Sequence, residues 1–411
     1  MKKKPLEALI KLVKRVEEKS SFYQKKFKDN GIKADDIKTM DDFRTLPFSD
    51  KSDLRRAYPL GLQAVPDEEV VRIHSSSGTT GSPVIIPYTK KDVEDWAIMF
   101  ERCYQYAGMT NKDRIQITPG YGLWTAGIGF QAGAERLGAM AIPMGPGNTQ
   151  KQLKMLVDIQ STVIASTSSY ALVLAEEVAK QGLQDKINLK KGIIGSERWG
   201  DKMRSRIINE LGIEIFDIFG LTEIYGPGIA IDCHHHCGMH YWDDYIYIEI
   251  IDPDTLEPVV EGEYGEMVIT TLYKEGAPLL RYRTHDITRL IPGDCPCGSP
   301  FPRHDRIVGR TDDMVKVKAV NIYPGQIDEL LKDIKGVSSE YQAIVTNEKG
   351  KDVVYLNFEI EHDVDREEIQ KEVNYQFKSK IGISIIPQAG AIGSLPRSEK
   401  KSIRIVDNRY E

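Results

Sequence analysis

Two stretches of this 411-residue chain are dense in side chains that do chemistry. The first is Ser75-Ser76-Ser77-Gly78-Thr79-Thr80-Gly81-Ser82-Pro83, which follows the apolar-leaning run Val70-Val71-Arg72-Ile73. Its hydroxyls are donors, and its glycines, lacking Cβ, leave backbone N–H groups open to an anion. That chemistry suits phosphate. The run departs from the Walker A pattern, because Gly81 is followed by Ser82-Pro83-Val84 and not by Lys-Ser/Thr. The same composition would also serve a flexible linker. The second stretch is split: Cys233-His234-His235-His236-Cys237-Gly238-Met239-His240 and Cys295-Pro296-Cys297-Gly298. Two close thiols in a Pro/Gly turn can face one ion, and the first piece holds more ligands than a tetrahedral site can use. Zinc is the expected guest. A site filled by protein on all sides would staple loops and not activate water. Two unrelated loops with adventitious affinity are the alternative.

Composition narrows the function class. Charged residues make up 28% and hydrophobic residues 41%, ordinary for a globular chain of two or three domains. The net charge of −6 supplies no basic stripe, which excludes a nucleic-acid partner. No apolar run nears the ~20 residues of a membrane span. The basic start, Met1-Lys2-Lys3-Lys4, continues as an amphipathic helix interrupted by Lys11, Lys14 and Arg15, not as a signal peptide. A cytoplasmic protein without membrane partners is expected, with a homodimer as one option.

The elements that must position these residues follow from periodicity. Residues 1 to about 60 read as mainly helical. From about 70 to 230, apolar runs at Ile115–Ile117, Ala141–Pro143, Val163–Ala165 and Gly192–Ile194 alternate with helical stretches such as Gln150–Gln160 and Tyr170–Gln181. That alternation predicts an α/β layer with a largely parallel sheet. Tyr245–Ile251 and Gly265–Thr271 predict a β-rich subdomain. In the tail, Val315–Val320 reads as a strand, and Ile327, Leu330, Leu331 and Ile334 mark one helical face. Two strands around 347–352, a helix opened by Asp365 and a strand at Ile383–Ile386 complete a β-α-β-β-α-β, ferredoxin-like module.

Four further segments occur in order: Asp217-Ile218-Phe219-Gly220-Leu221-Thr222-Glu223, Arg281-Tyr282-Arg283-Thr284-His285-Asp286, Gly309-Arg310-Thr311-Asp312-Asp313-Met314, and Leu395-Pro396-Arg397-Ser398-Glu399-Lys400-Lys401-Ser402. Together with the Ser/Gly/Thr run, their order and spacing resemble the adenylate-forming ligases, and most closely the phenylacetate–CoA ligase family. The resemblance spans nearly the whole chain and includes Tyr121-Gly122-Leu123-Trp124-Thr125, Gly133–Gly138 and Val320–Pro324. It implies a large AMP-binding domain (1–311) and a small mobile domain (312–411) rotating about Asp312. The implied reaction joins a carboxylate to the α-phosphate of Mg-ATP, releases pyrophosphate, and lets CoA displace AMP.

The resemblance also assigns roles. Ser75–Gly81 would hold the β- and γ-phosphates and Glu223 the Mg²⁺, and Asp217, Gly220 and Thr222 would join in binding the nucleotide. Asp286 would take the ribose hydroxyls, with Arg310 assisting. Gly195, Ser196, Glu197 and Phe219 would flank the adenine, and Lys401 would bridge carboxylate and α-phosphate. Tyr121, Trp124, Gly127 and Phe130, with Ile218 and Pro227, would line an aromatic acid pocket. For zinc the resemblance favours Cys233, His240, Cys295 and Cys297, with Cys237 as substitute for His240 and His234–His236 solvated.

Four positions depart from the family pattern: Phe219 stands for tyrosine, and His285, Ala319 and Lys400 stand for glycine. The resemblance puts Ala319 where the pantetheine arm would pass close to backbone. It keeps an alternative open, an adenylating enzyme or nucleotidyltransferase whose acceptor is not CoA.

Overall fold

A computed structural model describes residues 4–76, 82–123, 125–197, 199–312, 315–318, 320–348, 351–397 and 403–409. The chain forms two compact units: residues 1–145 with 216–306, and residues 146–215 with 307–411.

The first unit opens with the helices Lys4–Lys19, Ser21–Asp29, Met40–Arg44 and Lys51–Arg56. Leu9, Leu12, Val13 and Val16 recur at helical spacing and are all buried, packing with Tyr23, Phe27 and Phe43 against Leu272 and Leu280. The strands Val70–Ser75 and Ile85–Thr89 form an antiparallel hairpin. Thr89 and Asp92 close a capping box on the helix Lys90–Tyr106. That helix packs against Ala126–Leu137, where Gly129 and Gly133 are obligatory: a Cβ on either would meet Trp96 or Phe100 at 2.4 Å. Arg114–Ile117 and Met140–Pro143 pair in parallel, as the alternation predicts. Glu214–Leu221, Gly226–Asp232, Met239–Tyr241, Arg303–His304 and Leu290–Ile291 follow as antiparallel neighbours. Ile246–Ile251, Gly265–Thr271 and Tyr282–Thr288 form the expected β-rich part, again antiparallel.

In the second unit, Val163–Thr167 and Lys191–Gly195 are parallel, with the helices Thr149–Asp158, Ser168–Lys180 and Asp201–Leu211 around them. Ile164, Ile194, Leu172, Leu174, Val178, Met203 and Ile207 make their core. The C-terminal part has the helices Pro324–Lys332 and Arg366–Ile381 on a four-stranded sheet. Ile327, Leu330, Leu331 and Ile334 are all buried, sharing a core with Val373 and Phe377. Two details differ from the sequence reading: the strand expected at Ile383–Ile386 runs Ile386–Ala391, because Ile383 and Ile385 are apolar for burial in the core and not for pairing, and Val315–Val320 is not one strand. Val315–Val320 folds back as a short hairpin, Val315–Val317 with Val320–Ile322. The sheet takes its fourth strand from Ile405–Asp407, parallel to Val337–Glu348. Lys318, with φ +49°, marks the turn between the short strands; a run of alternating valines carries no signal for such a reversal.

Candidate functional site

Of the Ser/Gly/Thr run, Ser75 and Ser76 are described; Ser77, Gly78, Thr79, Thr80 and Gly81 lie outside the described residues. The two serines close the base of the run. Ser75 donates its backbone N–H to Leu123 O at 2.8 Å and its hydroxyl to Ser76 O at 2.9 Å. Ser76 N donates to Val84 O, and Ser76 Oγ accepts from Val84 N, each at 3.0 Å. The Ser75 hydroxyl is therefore spent as a donor on the backbone, whereas Ser76 Oγ accepts in its bond and does not use its own O–H there.

The strand Glu214–Leu221 carries Asp217, Ile218, Phe219 and Gly220 toward Thr222 and Glu223. Gly220 cannot be replaced cheaply, since a Cβ there would lie 2.0 Å from Gly226 O. Thr222 Oγ1 stands 3.1 Å from Thr125 Oγ1. Glu223 is 4% exposed; its Oε1 accepts no hydrogen bond, and Lys51 Nζ stands 3.5 Å away. A buried carboxylate oxygen without a donor is costly unless something cationic meets it. Hard Mg²⁺, which prefers oxygen, fits that requirement. Asp286 is also buried, its backbone N–H donating to Thr284 Oγ1 at 3.1 Å. Beside it His285 has φ +65°, a conformation glycine adopts freely. That explains why glycine would be the ordinary residue there. His285 does not simply face solvent: its Nδ1 lies 3.6 Å from Glu266.

In the acid-pocket set, Gly127 is fixed by Tyr121, whose ring a Cβ would meet at 2.7 Å. The Tyr121 hydroxyl is buried without a hydrogen-bond partner, and burial pushes its pKa up to about 12. It stays a neutral phenol. Phe130 is 1% exposed and packs against Phe100 at a 56° tilt, with centroids 4.8 Å apart. Ile218 is buried and Pro227 half-buried; Trp124 lies outside the described residues. Phe219 meets His304 edge-on at 5.2 Å.

In the second unit, Gly195 ends a strand and Ser196 turns with φ +71°. Glu197 Oε2 accepts from the hydroxyls of Ser168 and Ser169 at the start of their helix, where a negative charge is favoured. Arg310 lays its guanidinium on Asp312, both bonds 2.8 Å. The assigned ribose partner thus engages the assigned hinge residue. Lys400, Lys401 and Ala319 lie outside the described residues.

The Cys/His pieces, far apart in sequence, meet. Ligand atoms of Cys233, His240, Cys295 and Cys297 all lie within 4.8 Å of one another. Cys233 and Cys295 sulfurs are 3.7 Å apart, near the ~3.8 Å edge that a tetrahedron with ~2.3 Å metal–sulfur bonds requires. His240 Nδ1 donates to Phe301 O at 2.9 Å, which leaves Nε2 as the lone-pair nitrogen, 3.3 Å from Cys297 Sγ. Burial lowers the His240 pKa, keeping the ring neutral as a ligand must be. The donor set fits Zn²⁺. Cys237 Sγ, 3.4 Å from Cys295, accepts from Arg303 at 3.0 Å. His234–His236 are exposed, with His236 tied to Asp232 at 2.6 Å.

Sequence reasoning missed the residues behind Glu223. Lys274 is fully buried, as are Tyr88 and Trp96. Burial lowers the Lys274 pKa to about 7. Within Leu272-Tyr273-Lys274-Glu275 a lysine at a strand end looks like any surface lysine. Only its burial distinguishes it.

The comparisons with known proteins agree with this geometry. Residues 5–272 match the model of the AMP-binding enzyme family, and residues 319–409 that of the AMP-binding enzyme C-terminal domain. The chain is 40% identical to a phenylacetate-coenzyme A ligase of Pseudomonas putida, covering 98% of this chain and 93% of that one. It is 40% identical to the phenylacetate-coenzyme A ligase of Escherichia coli K12, covering 97% and 92%. A crystal structure of 2-hydroxyisobutyryl-CoA ligase, in the postadenylation state with an acyl-AMP, superposes with a TM-score of 0.89 at 26% identity, over 98% of this chain and 89% of that one. The chain belongs to the phenylacetate–CoA ligase family of AMP-binding, adenylate-forming enzymes.

Proposed function

We propose that this protein is an ATP-dependent acid–thiol ligase for a phenylacetate-like aryl acid. What carries the reading is the likeness to phenylacetate-coenzyme A ligases, 40% identical over 98% of the chain. The acid's carboxylate oxygen attacks the α-phosphorus of ATP and pyrophosphate leaves, giving the acyl-adenylate. The thiol sulfur of CoA then attacks the acyl carbon; AMP leaves with the former carboxylate oxygen, and the thiol proton goes to solvent.

Glu223 and the Thr222 hydroxyl beside it would hold Mg²⁺, which when bound neutralises phosphate charge. Asp286 would bind the ribose hydroxyls, and the Ser75–Gly81 run the β- and γ-phosphates. Lys401 would supply a mobile positive charge between carboxylate and α-phosphate. Tyr121 and Gly127 would border the acid. Cys233, His240, Cys295 and Cys297 would hold a zinc that staples the loops and takes no part in the reaction. Residues 312–411 would turn about Asp312 between the two steps, moving Lys401 away before CoA reacts. No helix among the described residues is long and apolar enough to cross a membrane, and we assign the reaction to the cytoplasm. Ala319 supports one second reading, transfer to an acceptor other than CoA.

Mass-resolved products from ATP, Mg²⁺ and a panel of aryl acids, with and without CoA, test this. Acyl-CoA and AMP are expected. Acyl-adenylate untouched by CoA would favour the second reading. No ATP turnover with any acid would overturn both.

A further inference from the structure

Behind Glu223, three side-chain donors grip the backbone that follows it. Lys274 Nζ donates to Ile224 O. Tyr88 Oη donates to Tyr225 O at 2.9 Å, and Trp96 Nε1 to Pro227 O at 2.8 Å. The donors come from separate places: the hairpin strand Ile85–Thr89, the helix Lys90–Tyr106, and the segment after the strand Gly265–Thr271. Lys274 has no exposed surface. Its ammonium lies 4.5 Å from the ring centre of Tyr88 and 4.9 Å from that of Tyr225. The acidic side chains whose charge acts on it are Asp92 and Glu223. Asp92 is already engaged, accepting the backbone N–H groups of Glu275 and Gly276 at 2.7 and 2.8 Å.

A fully buried lysine head group without a carboxylate partner is an expensive way to fill space, whether its amine is charged or neutral. An apolar side chain of the same length would pack there at lower cost. The aromatic faces and one carbonyl recover part of that cost. What the lysine supplies that methionine cannot is a fixed donor one residue after Glu223.

We propose that Lys274 is a positioning residue for the metal-binding carboxylate: by holding Ile224 O inside the Tyr88/Tyr225 aromatic box, it fixes where Glu223 presents its oxygens. This rests on the reading of Glu223 as the Mg²⁺ ligand. Lys51, at 3.5 Å, is the one ion-pair contact to Glu223 among the described residues, so the backbone of the turn sets the carboxylate's place. Partners that orient ligating groups typically change metal affinity about 10–100-fold when removed.

The test uses the full-length protein and two assays: Mg²⁺-dependent ATP–pyrophosphate exchange with the acid, and thioester formation from supplied acyl-adenylate and CoA. Glu223→Gln comes first. If exchange keeps its normal Mg²⁺ dependence in that variant, the metal reading itself fails. If exchange is lost, Lys274→Met is expected to raise the Mg²⁺ concentration for half-maximal exchange by about tenfold or more. Thioester formation should stay within about twofold of wild type, since that step needs no metal–carboxylate geometry. Lys274→Gln keeps a shorter, neutral donor and should fall between. If Lys274→Met does not fold, the Gln variant decides. An unchanged Mg²⁺ requirement, or equal loss in both assays, overturns the proposal and leaves Lys274 a packing residue.

Discussion

The turn at 222–227 and the outer helices of the second unit hold their neighbours by opposite means. Around the turn, neutral carbonyls are gripped in a dry aromatic surround, by Lys274, Tyr88 and Trp96. In the second unit, the helices Ser168–Lys180 and Asp201–Leu211 meet the C-terminal residues through charges. Arg397 spans Glu359, with two bonds of 2.8 Å, and Glu176, at 2.9 Å. Arg206 also bonds Glu176, at 2.9 Å, and Ser339, at 3.3 Å. Lys202 reaches Ile334 O at 2.8 Å. Glu359 is fully buried, but Glu176 keeps a quarter of its side chain in solvent. Water can replace a solvent-facing ion pair at little cost, whereas a buried carbonyl has no substitute donor. The first arrangement suits a metal site that must not drift, the second a contact made and broken once per turnover under the hinge proposal.

Breaking either region should therefore leave a different kinetic signature. The largest effect belongs to Lys401→Ala, four residues beyond Arg397. Pyrophosphate exchange should fall by about 10²–10³-fold, with thioester formation from supplied acyl-adenylate spared; equal losses in single-turnover assays of both steps would remove Lys401 from its role. Gly220→Ala strikes the rigid region, placing a Cβ 2.0 Å from Gly226 O. Both half-reactions should suffer together, with about 3 kcal/mol lost in urea unfolding; a wild-type midpoint would mean that the turn yields.

Arg397→Ala removes the charged bridge while leaving Glu359 buried and unpaired. Exchange should drop about tenfold and thioester formation hold or rise; the opposite bias would break the contrast between the regions. Cys295→Ser should bring bound zinc below one equivalent by elemental analysis and lower stability by about 2–4 kcal/mol. Full metal content would exclude Cys295 as a ligand.

The smallest effect is an acid slope. Burial holds the His304 pKa at about 4, below its ordinary 6.5. The folded ring stays neutral while the unfolded chain takes up a proton below pH 6.5. Stability from this group is thus whole above pH 6.5 and declines as the pH falls toward 4, by up to about 1.4 kcal/mol per pH unit. His304→Leu should flatten that part of the profile in denaturant titrations.

The fold was readable where local periodicity and burial coincide. Leu9-Leu12-Val13-Val16, the parallel pairs around Ile115 and Ile142, and the face Ile327-Leu330-Leu331-Ile334 all bury what their spacing says they should. Val315–Val320 misled because alternating valines describe one strand or two equally well. For Phe130 the sequence shows an aromatic beside glycines, and only the structure shows that its ring meets Phe100.

Sequence alone determined the reaction class, because motif order survives along a chain. It also marked the Cys/His pieces as candidate metal ligands, because residue type decides donor chemistry. Tertiary structure brought together the four that the resemblance favours, Cys233, His240, Cys295 and Cys297, and turned Cys237 to Arg303. It alone revealed a positive φ at His285 and the full burial of Lys274. The reason is common to the cluster and to Lys274. Which donor meets which acceptor, and which charge loses its water, depends on segments 50 and 62 residues apart in the chain.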